Sequence, residues 1–194
     1  NADRLNELNF EMGLAAFSEG VMVNTIGKVL VHSLERAART DDVLMPYAQM
    51  LASDAFAVPL FGLMNGSIDT LIRFSQDGQQ RLFVTDWKSN RLDEDGMTYV
   101  IDGYSRESMV HAMEHHHYPL QALIYGTAVH RYIRSRAATS QSLPSIAGMA
   151  YFFIRGMVGE PTPIDNGNRH GVFTWEAPAG LWQELSDAIS GAGK

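Results

Sequence analysis

Asp69, Asp86 and Lys88 have the residue types of a metal-dependent hydrolytic site. Carboxylate oxygens are the ligands that Mg²⁺ prefers, and two carboxylates held side by side repel each other unless a cation or a proton neutralises them. A lysine beside such an ion can position or deprotonate an attacking water and stabilise the charge that develops on a phosphate. The three residues therefore indicate hydrolysis of phosphodiester bonds, provided that the fold brings them together.

That grouping depends on a predicted β-hairpin. Residues 68–74 and 81–87 have strand-like composition, and the Asp-Gly dipeptide at 77–78 is typical of a tight turn in which both central residues have positive φ. A turn centred at 77–78 pairs residues whose numbers sum to 155, which places Asp69 opposite Asp86. Lys88 shares the face of Asp86, because alternate residues of a strand point the same way.

The composition restricts the class of protein. The chain has 194 residues, of which 45% are hydrophobic and 19% charged, as expected for a globular domain. A formal charge of −7 excludes a protein that coats nucleic acid by charge alone, and the absence of cysteine excludes disulfides, thiolate metal sites and cysteine nucleophiles. No apolar run approaches the ~18 residues of a membrane span. Because the first residue is Asn1, we expect a processed chain or a piece of a longer one.

The remaining patterns predict an α/β domain, in which a central mixed β-sheet is flanked by helices. Pro119 suits the first turn of a helix, where its missing N–H costs nothing. The predicted strands are 5–14, 146–155 and 172–175, and the predicted helices are 25–38, 106–115, 119–136 and 179–189. Residues 41–59 are expected to be irregular or partly helical, with Pro46 and Pro59 as breakers, and residues 91–104 and 161–171 are expected to be loops. Asn24 or Thr25 is expected to cap the first helix.

Three motifs resemble the PD-(D/E)xK nucleases of the RecB type, which share a restriction-endonuclease-like core. The resemblance covers about residues 60–190 well and residues 1–20 weakly. The motifs are Gly66-Ser67-Ile68-Asp69, Asp86-Trp87-Lys88-Ser89-Asn90 and Gln121-x-x-x-Tyr125, supported by His117-Tyr118-Pro119-Leu120-Gln121, Ala128-Val129-His130-Arg131-Tyr132, Tyr151-Phe152-Phe153-Ile154-Arg155-Gly156 and Ala179-Gly180-Leu181.

The resemblance implies roles for individual residues. Metal ligands would be Asp69, Asp86 and the main-chain carbonyl of Trp87, and Lys88 would be the catalytic lysine. Glu7 resembles an additional active-site glutamate on an upstream strand. The catalytic and DNA-contacting set would further include Gln121 and Tyr125, with Arg131 as a DNA contact.

The resemblance also implies a cofactor and partners. The cofactor would be Mg²⁺, for which Mn²⁺ or Ca²⁺ could substitute. The substrate would be DNA, chiefly single strands delivered by a helicase during double-strand break repair. The partners would be helicase domains of the same subunit and RecC-like and RecD-like subunits, in the cytoplasm of a bacterium near the nucleoid, with no membrane contact. Residues 1–194 would form a single nuclease domain. This domain would be a fragment that lacks the upstream helix on which the family carries a metal-ligating histidine. His32 is in the wrong order along the chain to replace that histidine, because it follows Glu7.

Several alternatives stay open. A related metal-dependent nuclease of another pathway, or a non-catalytic DNA-binding or scaffolding module derived from the same fold, would have a similar sequence. Arg131, Arg134 and Arg136 form a basic cluster that either contacts DNA phosphates or only solubilises a helix. The pair His111 and His115 has the i, i+4 spacing of helical metal ligands, although a solvated helix end is the simpler interpretation.

Overall fold

The computed structural model describes residues 3–14, 20–92, 101–136 and 143–191. Its strands are β1 (Arg4–Gly13), β2 (Val21–Met22), β3 (Pro59–Leu60), β4 (Leu63–Gln76), β5 (Gln79–Lys88), β6 (Ser145–Phe153), β7 (Ile164–Asp165), β8 (Asn168–Arg169) and β9 (Val172–Glu176). Its helices are α1 (Val23–Arg36), α2 (Met45–Ala52), α3 (Arg106–His115), α4 (Tyr118–Ser135) and α5 (Leu181–Ser190). Short 3₁₀ turns cover Asp54–Phe56, Ile101–Tyr104 and Ile154–Gly156.

The long strands form one mixed sheet in the order β1-β4-β5-β6-β9, in which only β5 and β6 run parallel. Helix α4 packs against β1, β5 and β6, whereas α3 packs against β9. The predicted α/β class with a central mixed sheet is confirmed. In the part of the chain that the structure describes, no helix combines the length and the apolar character that a bilayer crossing requires.

The β4–β5 hairpin has the predicted register. Its turn residues Asp77 and Gly78 have φ of 53° and 74°, as a tight hairpin turn requires. The strand pairs run from Gln76–Gln79 at the turn to Thr70–Thr85, and each pair sums to 155. The recorded pairs end there, one position before Asp69 and Asp86.

The alternation of side chains between the two faces of β4 shifts by one residue between Ile68 and Leu71. Ile68 and Leu71 are three residues apart, and a regular strand would place them on opposite faces, yet both are buried in the same core cluster. On the neighbouring strand β1, Glu7 adopts a left-handed conformation with φ of 55°. Because Asn6 pairs with Thr70 and Leu8 pairs with Ile68, Glu7 lies level with Asp69 at the irregularity.

Some boundaries differ from the sequence-based expectation. Helix α2 forms within the stretch expected to be irregular or partly helical. Pro46 does not break it as predicted, because it occupies the first turn of the helix, where proline is tolerated. Helix α1 begins at Val23 without a side-chain cap, so the predicted Asn24 or Thr25 cap is wrong. Strand β6 ends at Phe153 in a 3₁₀ turn. Residues 93–100 of the predicted 91–104 loop lie outside the described residues.

Candidate active site

Asp86 and Lys88 form a shielded ion pair at the end of β5. Asp86 is only 4% exposed, and its Oδ2 lies 2.6 Å from the Nζ of Lys88. Burying a charge is costly unless a partner compensates it, and the pairing supplies that compensation. Both side chains lie on the core side of β5 together with Val84, as the alternation of the strand predicts.

Asp69 approaches the same point from β4. Its Oδ2 accepts a hydrogen bond of 3.2 Å from the backbone N–H of Trp87, the residue between Asp86 and Lys88. The pKa of Asp86 is raised, chiefly because burial disfavours its charged form; Lys88 opposes the rise and the negative charge of Asp69 adds to it. The two carboxylates therefore influence each other electrostatically, as the predicted pairing requires.

Helix α4 adds an amide that connects several side chains. The Oε1 of Gln121 accepts from Lys88 Nζ at 3.3 Å and from the Tyr151 hydroxyl at 3.0 Å. Its Nε2 donates to the hydroxyl of Tyr125 at 3.1 Å, one helical turn further along α4. Gln121 thus gives the ammonium group a second polar contact besides Asp86. The structure brings together Asp69, Asp86, Lys88, Gln121 and Tyr125, the five residues predicted for catalysis.

Two tyrosines, Tyr118 and Tyr151, and Asn90 complete this cluster. No functional role was predicted for them from the sequence. Lys88 Nζ lies 3.9 Å from the ring centroid of Tyr118, in cation–π geometry, and the Tyr118 hydroxyl donates to Asn90 Oδ1 at 3.1 Å. Burial raises the pKa of Tyr151 well above its ordinary value, which keeps its hydroxyl protonated as a donor to Gln121. The available signal was membership of the motifs, because Tyr118, Asn90 and Tyr151 each belong to a stretch that resembles the RecB-type nucleases.

Other residues that were predicted for the site lie outside the hydrogen-bonded cluster around Lys88. Glu7 is exposed and level with Asp69 on β1, and among the described residues no hydrogen bond connects it to the cluster. Arg131 donates to the backbone carbonyls of Gly13 and Ser186 and to the Ser186 hydroxyl, and so ties α4 to β1 and α5. His32 is exposed on α1.

The exposed pair His111 and His115 is stacked with ring centroids 6.3 Å apart on α3. Its i, i+4 spacing thus brings the rings together at the surface of the helix. Across residues 3–14, 20–92, 101–136 and 143–191, no three acidic or histidine side chains gather closely enough to hold a metal ion.

The donors near Asp86 nevertheless fit a hard divalent cation. The site offers two carboxylates, one of them shielded from water, and the second carboxylate makes ionisation of Asp86 more difficult. A divalent cation would relieve that repulsion, and oxygen is the ligand type that Mg²⁺ selects. The residues that could hold it are Asp69, Asp86 and the carbonyl of Trp87.

Comparison with known proteins gives one consistent result, although no protein-family model matches the chain. The RecBCD enzyme subunit RecB of Mycobacterium tuberculosis H37Rv is 39% identical over 193 residues, which are 96% of this chain and 16% of that protein. The RecB subunit of Mycolicibacterium smegmatis is 36% identical over 192 residues, 96% of this chain and 17% of that protein. The RecB subunit of Escherichia coli K12 is 32% identical over 130 residues, 67% of this chain and 10% of that protein.

The chain therefore spans about a sixth of the length of the mycobacterial proteins. The matched segment includes nearly every residue of this chain, so the similarity is not confined to the three motifs. The resemblance expected from those motifs is confirmed, and the chain is a RecB-like segment.

Proposed function

We propose that this chain hydrolyses DNA phosphodiester bonds in a Mg²⁺-dependent reaction, with single strands as the main substrate. The observation that carries the proposal is the shielded Asp86–Lys88 pair beside Asp69. A folded protein gains little from a buried ion pair that an apolar pair could replace, so such a pair in a cluster of polar side chains is better explained by chemistry. The proposal includes a PD-(D/E)xK core for the sheet.

The roles of the side chains follow from their contacts. When bound by Asp69, Asp86 and the Trp87 carbonyl, Mg²⁺ would supply positive charge for a phosphate and a more acidic water. Lys88 already lies within hydrogen-bonding distance of Asp86 and Gln121, so its ammonium group is oriented before a substrate arrives. It would donate to a phosphate oxygen or hold the attacking water.

Gln121 and Tyr125 would orient this lysine and contact the strand being cleaved. The amide of Gln121 is held on both sides, by Tyr151 at its oxygen and by Tyr125 at its nitrogen, so it cannot rotate freely. Preorganised donors of this kind lose little free energy in rearranging during the reaction. Glu7 as a further ligand and Arg131 as a DNA contact remain predictions; Arg131 would have to exchange some of its present bonds.

The setting of the activity is also part of the proposal. The relatives are named as RecB subunits of the RecBCD enzyme, which supports a role in DNA repair and recombination. We therefore place this single nuclease domain beside helicase domains and RecC-like and RecD-like subunits in the bacterial cytoplasm. A helicase that delivers single strands would explain how an acidic chain with a net charge of −7 obtains a polyanionic substrate.

A second candidate is a non-catalytic DNA-binding or scaffolding module. The observation that favours it is that the ammonium group of Lys88 compensates the charge of Asp86 within the protein. The two functions differ in their dependence on Asp86, because a scaffold needs its surface but not its buried carboxylate.

Substitution of Asp86 by asparagine tests the proposal. Asp86→Asn keeps the size of the side chain but removes its negative charge, so Mg²⁺-dependent degradation of single-stranded DNA should fall about 1,000-fold. The measurement is release of labelled nucleotides with Mg²⁺ and with a chelator. Asp54→Asn changes an exposed carboxylate in a 3₁₀ turn and serves as the matched control, with unchanged activity.

Circular dichroism should show that both variants are folded. Degradation by Asp86→Asn at the rate of the unaltered protein would contradict the nuclease assignment. If the unaltered protein binds single strands but never cleaves them with Mg²⁺ or Mn²⁺, the scaffolding function is correct.

A further inference from the structure

A cavity of about 640 Å³ lies at the turn end of the β4–β5 hairpin, away from the Asp86 cluster. Three of its lining side chains are basic: Arg81 on β5, and His130 and Arg134 on α4. Its acidic lining residue is Asp77 in the hairpin turn. In a chain with a net charge of −7, this local excess of basic groups is notable because it is enclosed on several sides.

Arg81 is incompletely satisfied in this position. One terminal nitrogen of its guanidinium donates to Gln76 Oε1 at 2.6 Å. Its Nε is shielded from solvent and has no hydrogen-bond partner, the one such buried side-chain nitrogen or oxygen among the described residues. An unsatisfied buried donor is costly, and a bound group that draws the guanidinium towards it would remove that cost.

Arg134 and His130 contribute to the same cavity. Within the described ranges Arg134 has no carboxylate partner, unlike Arg36, Arg39 and Arg73. His130 Nε2 lies 3.2 Å from the Gln183 oxygen, and the pKa of His130 is lowered, first by burial and then by the nearby Arg134. Two guanidinium groups therefore lack an anion here.

The start of α5 faces the cavity as well. Ala179, Gly180 and Trp182 line it, and the helix begins at Leu181 without a side-chain cap. The N–H groups of Leu181, Gln183 and Glu184 already donate to the carbonyls of Pro178 and Gly180, so the helix contributes to anion binding only through the positive end of its dipole. This contribution adds to the two guanidinium groups but would not define a site without them.

Part of the remaining wall is apolar, formed by Ile133, Pro144, Ile146 and Trp182 among others, and part is polar, formed by Gln76, Gln79, Ser145 and Gln183. A simple oxyanion occupies only a small part of about 640 Å³. Cavities of this size usually enclose most of a small organic molecule and use a few polar groups to orient it. The best fit is an anion attached to a compact body that has both apolar surface and polar groups.

From this arrangement we infer that the cavity binds a nucleotide, with Arg81 and Arg134 on its phosphate and the apolar wall against its nucleoside. Phosphate suits two arginines better than a carboxylate does, because it offers more acceptor oxygens for their planar sets of donors. Arg81 precedes Asp86 by five residues on β5, so this nucleotide site lies about 17 Å from the catalytic cluster. It can be occupied independently of catalysis.

Titration calorimetry with thymidine 5′-monophosphate tests this inference, with a chelator present so that no divalent ion occupies the Asp86 cluster. Arg134→Gln and Arg81→Gln should each weaken binding about tenfold, the effect of losing one charge-assisted hydrogen bond. Arg136→Gln, two residues beyond Arg134 and stacked on Tyr132, is the matched control and should leave binding unchanged. Asp86→Asn should also bind normally, so failure of the nuclease proposal would not affect this result.

Further ligands separate the possible sources of the nucleotide. Inorganic phosphate should bind more weakly than the nucleotide, and thymidine without phosphate should not bind measurably. Displacement of the nucleotide by a short oligonucleotide with a 5′-phosphate would assign the site to a DNA strand, and failure of that displacement would assign it to free nucleotides. Arg134 is exposed, so its variant should fold.

Three results with the nucleotide and its nucleoside would overturn the inference. They are the absence of nucleotide binding, binding that is unaffected in the Arg134→Gln variant, and equal binding of thymidine and its phosphate. Equal competition by a dicarboxylate such as succinate would also overturn it, since the site would then select carboxylates and fit an acidic peptide instead.

Discussion

The two ends of the β4–β5 hairpin present opposite electrostatic problems. At the open end, Asp69 and Asp86 bring negative charge together, and Lys88 compensates part of it. At the turn end, Arg81 lines a cavity with Arg134, and neither has a carboxylate partner among the described residues. Both ends are built on the same two strands and the same helix, α4.

The difference concerns how each charge is satisfied. Lys88 has an ion pair, an amide oxygen and a tyrosine ring as neighbours, whereas Arg81 has one amide oxygen and an unpaired Nε. In the two proposals, the open end would hold a divalent cation and the turn end an anion. Charge polarity along a single hairpin can divide one small domain into two sites with different ligands.

The largest effect is expected when the positive charge of Lys88 is removed from the open end. Lys88→Met keeps much of the length of the side chain but deletes its charge, so single-turnover cleavage should fall about 100-fold or more. Metal affinity measured by calorimetry should persist, because the carboxylates remain. Lost metal affinity with an intact fold would show that Lys88 organises the carboxylates and does not act on the substrate.

A second substitution tests the packing that supports the turn end. A Cβ added at Gly126 would lie 2.2 Å from the ring of Trp182, a wall of the nucleotide site, so Gly126→Ala should destabilise the protein by about 1–3 kcal/mol. Chemical denaturation measures the change. Gly13→Ala is the control, since nothing lies within 4 Å of a Cβ there, and its stability should hardly change. Equal stability of both variants would mean that Trp182 repacks freely.

The smallest expected effect is a shift in the titration of Asp86. Its pKa is raised by burial, so in metal-free protein its carboxyl should titrate at a higher pH than an ordinary aspartate. Lys88 lowers this pKa, and Lys88→Met should therefore raise it further and extend the protonated form to higher pH. Carbon-13 NMR of labelled aspartates follows the carboxyl directly. An unchanged midpoint in the variant would contradict the electrostatic coupling at the open end.

Much of the fold was predictable because the strongest signals are local. The Asp-Gly turn sets the register of β4 and β5, since its backbone conformation favours only one pairing of the strands. Helix α2 was not predictable in the same way, because Pro46 is compatible both with a break and with a first helical turn. Which of these applies depends on packing against α1, and sequence periodicity does not report that contact.

The residues that carry the chemistry were predictable, but several of their neutral neighbours were not. Asp69, Asp86 and Lys88 follow from the predicted strand pairing, and Gln121 and Tyr125 follow from the resemblance to the RecB-type nucleases. Tyr151 reaches Gln121 from a parallel strand distant in sequence, so no local pattern links them. The turn-end cavity could not be predicted for the same reason, since α4, α5 and β5 meet there only through the tertiary fold.

The left-handed conformation of Glu7 has a consequence for the solubility of the molecule. Strand β1 is an outer strand of the central sheet, and an uninterrupted outer strand can recruit strands of other molecules into aggregates. A non-glycine residue with φ of 55° interrupts the regular row of free N–H and C=O groups, and Glu7 adds a negative charge at the same position. A substitution that restores a regular strand there, such as Glu7→Val, would give incoming chains a continuous edge on which to assemble.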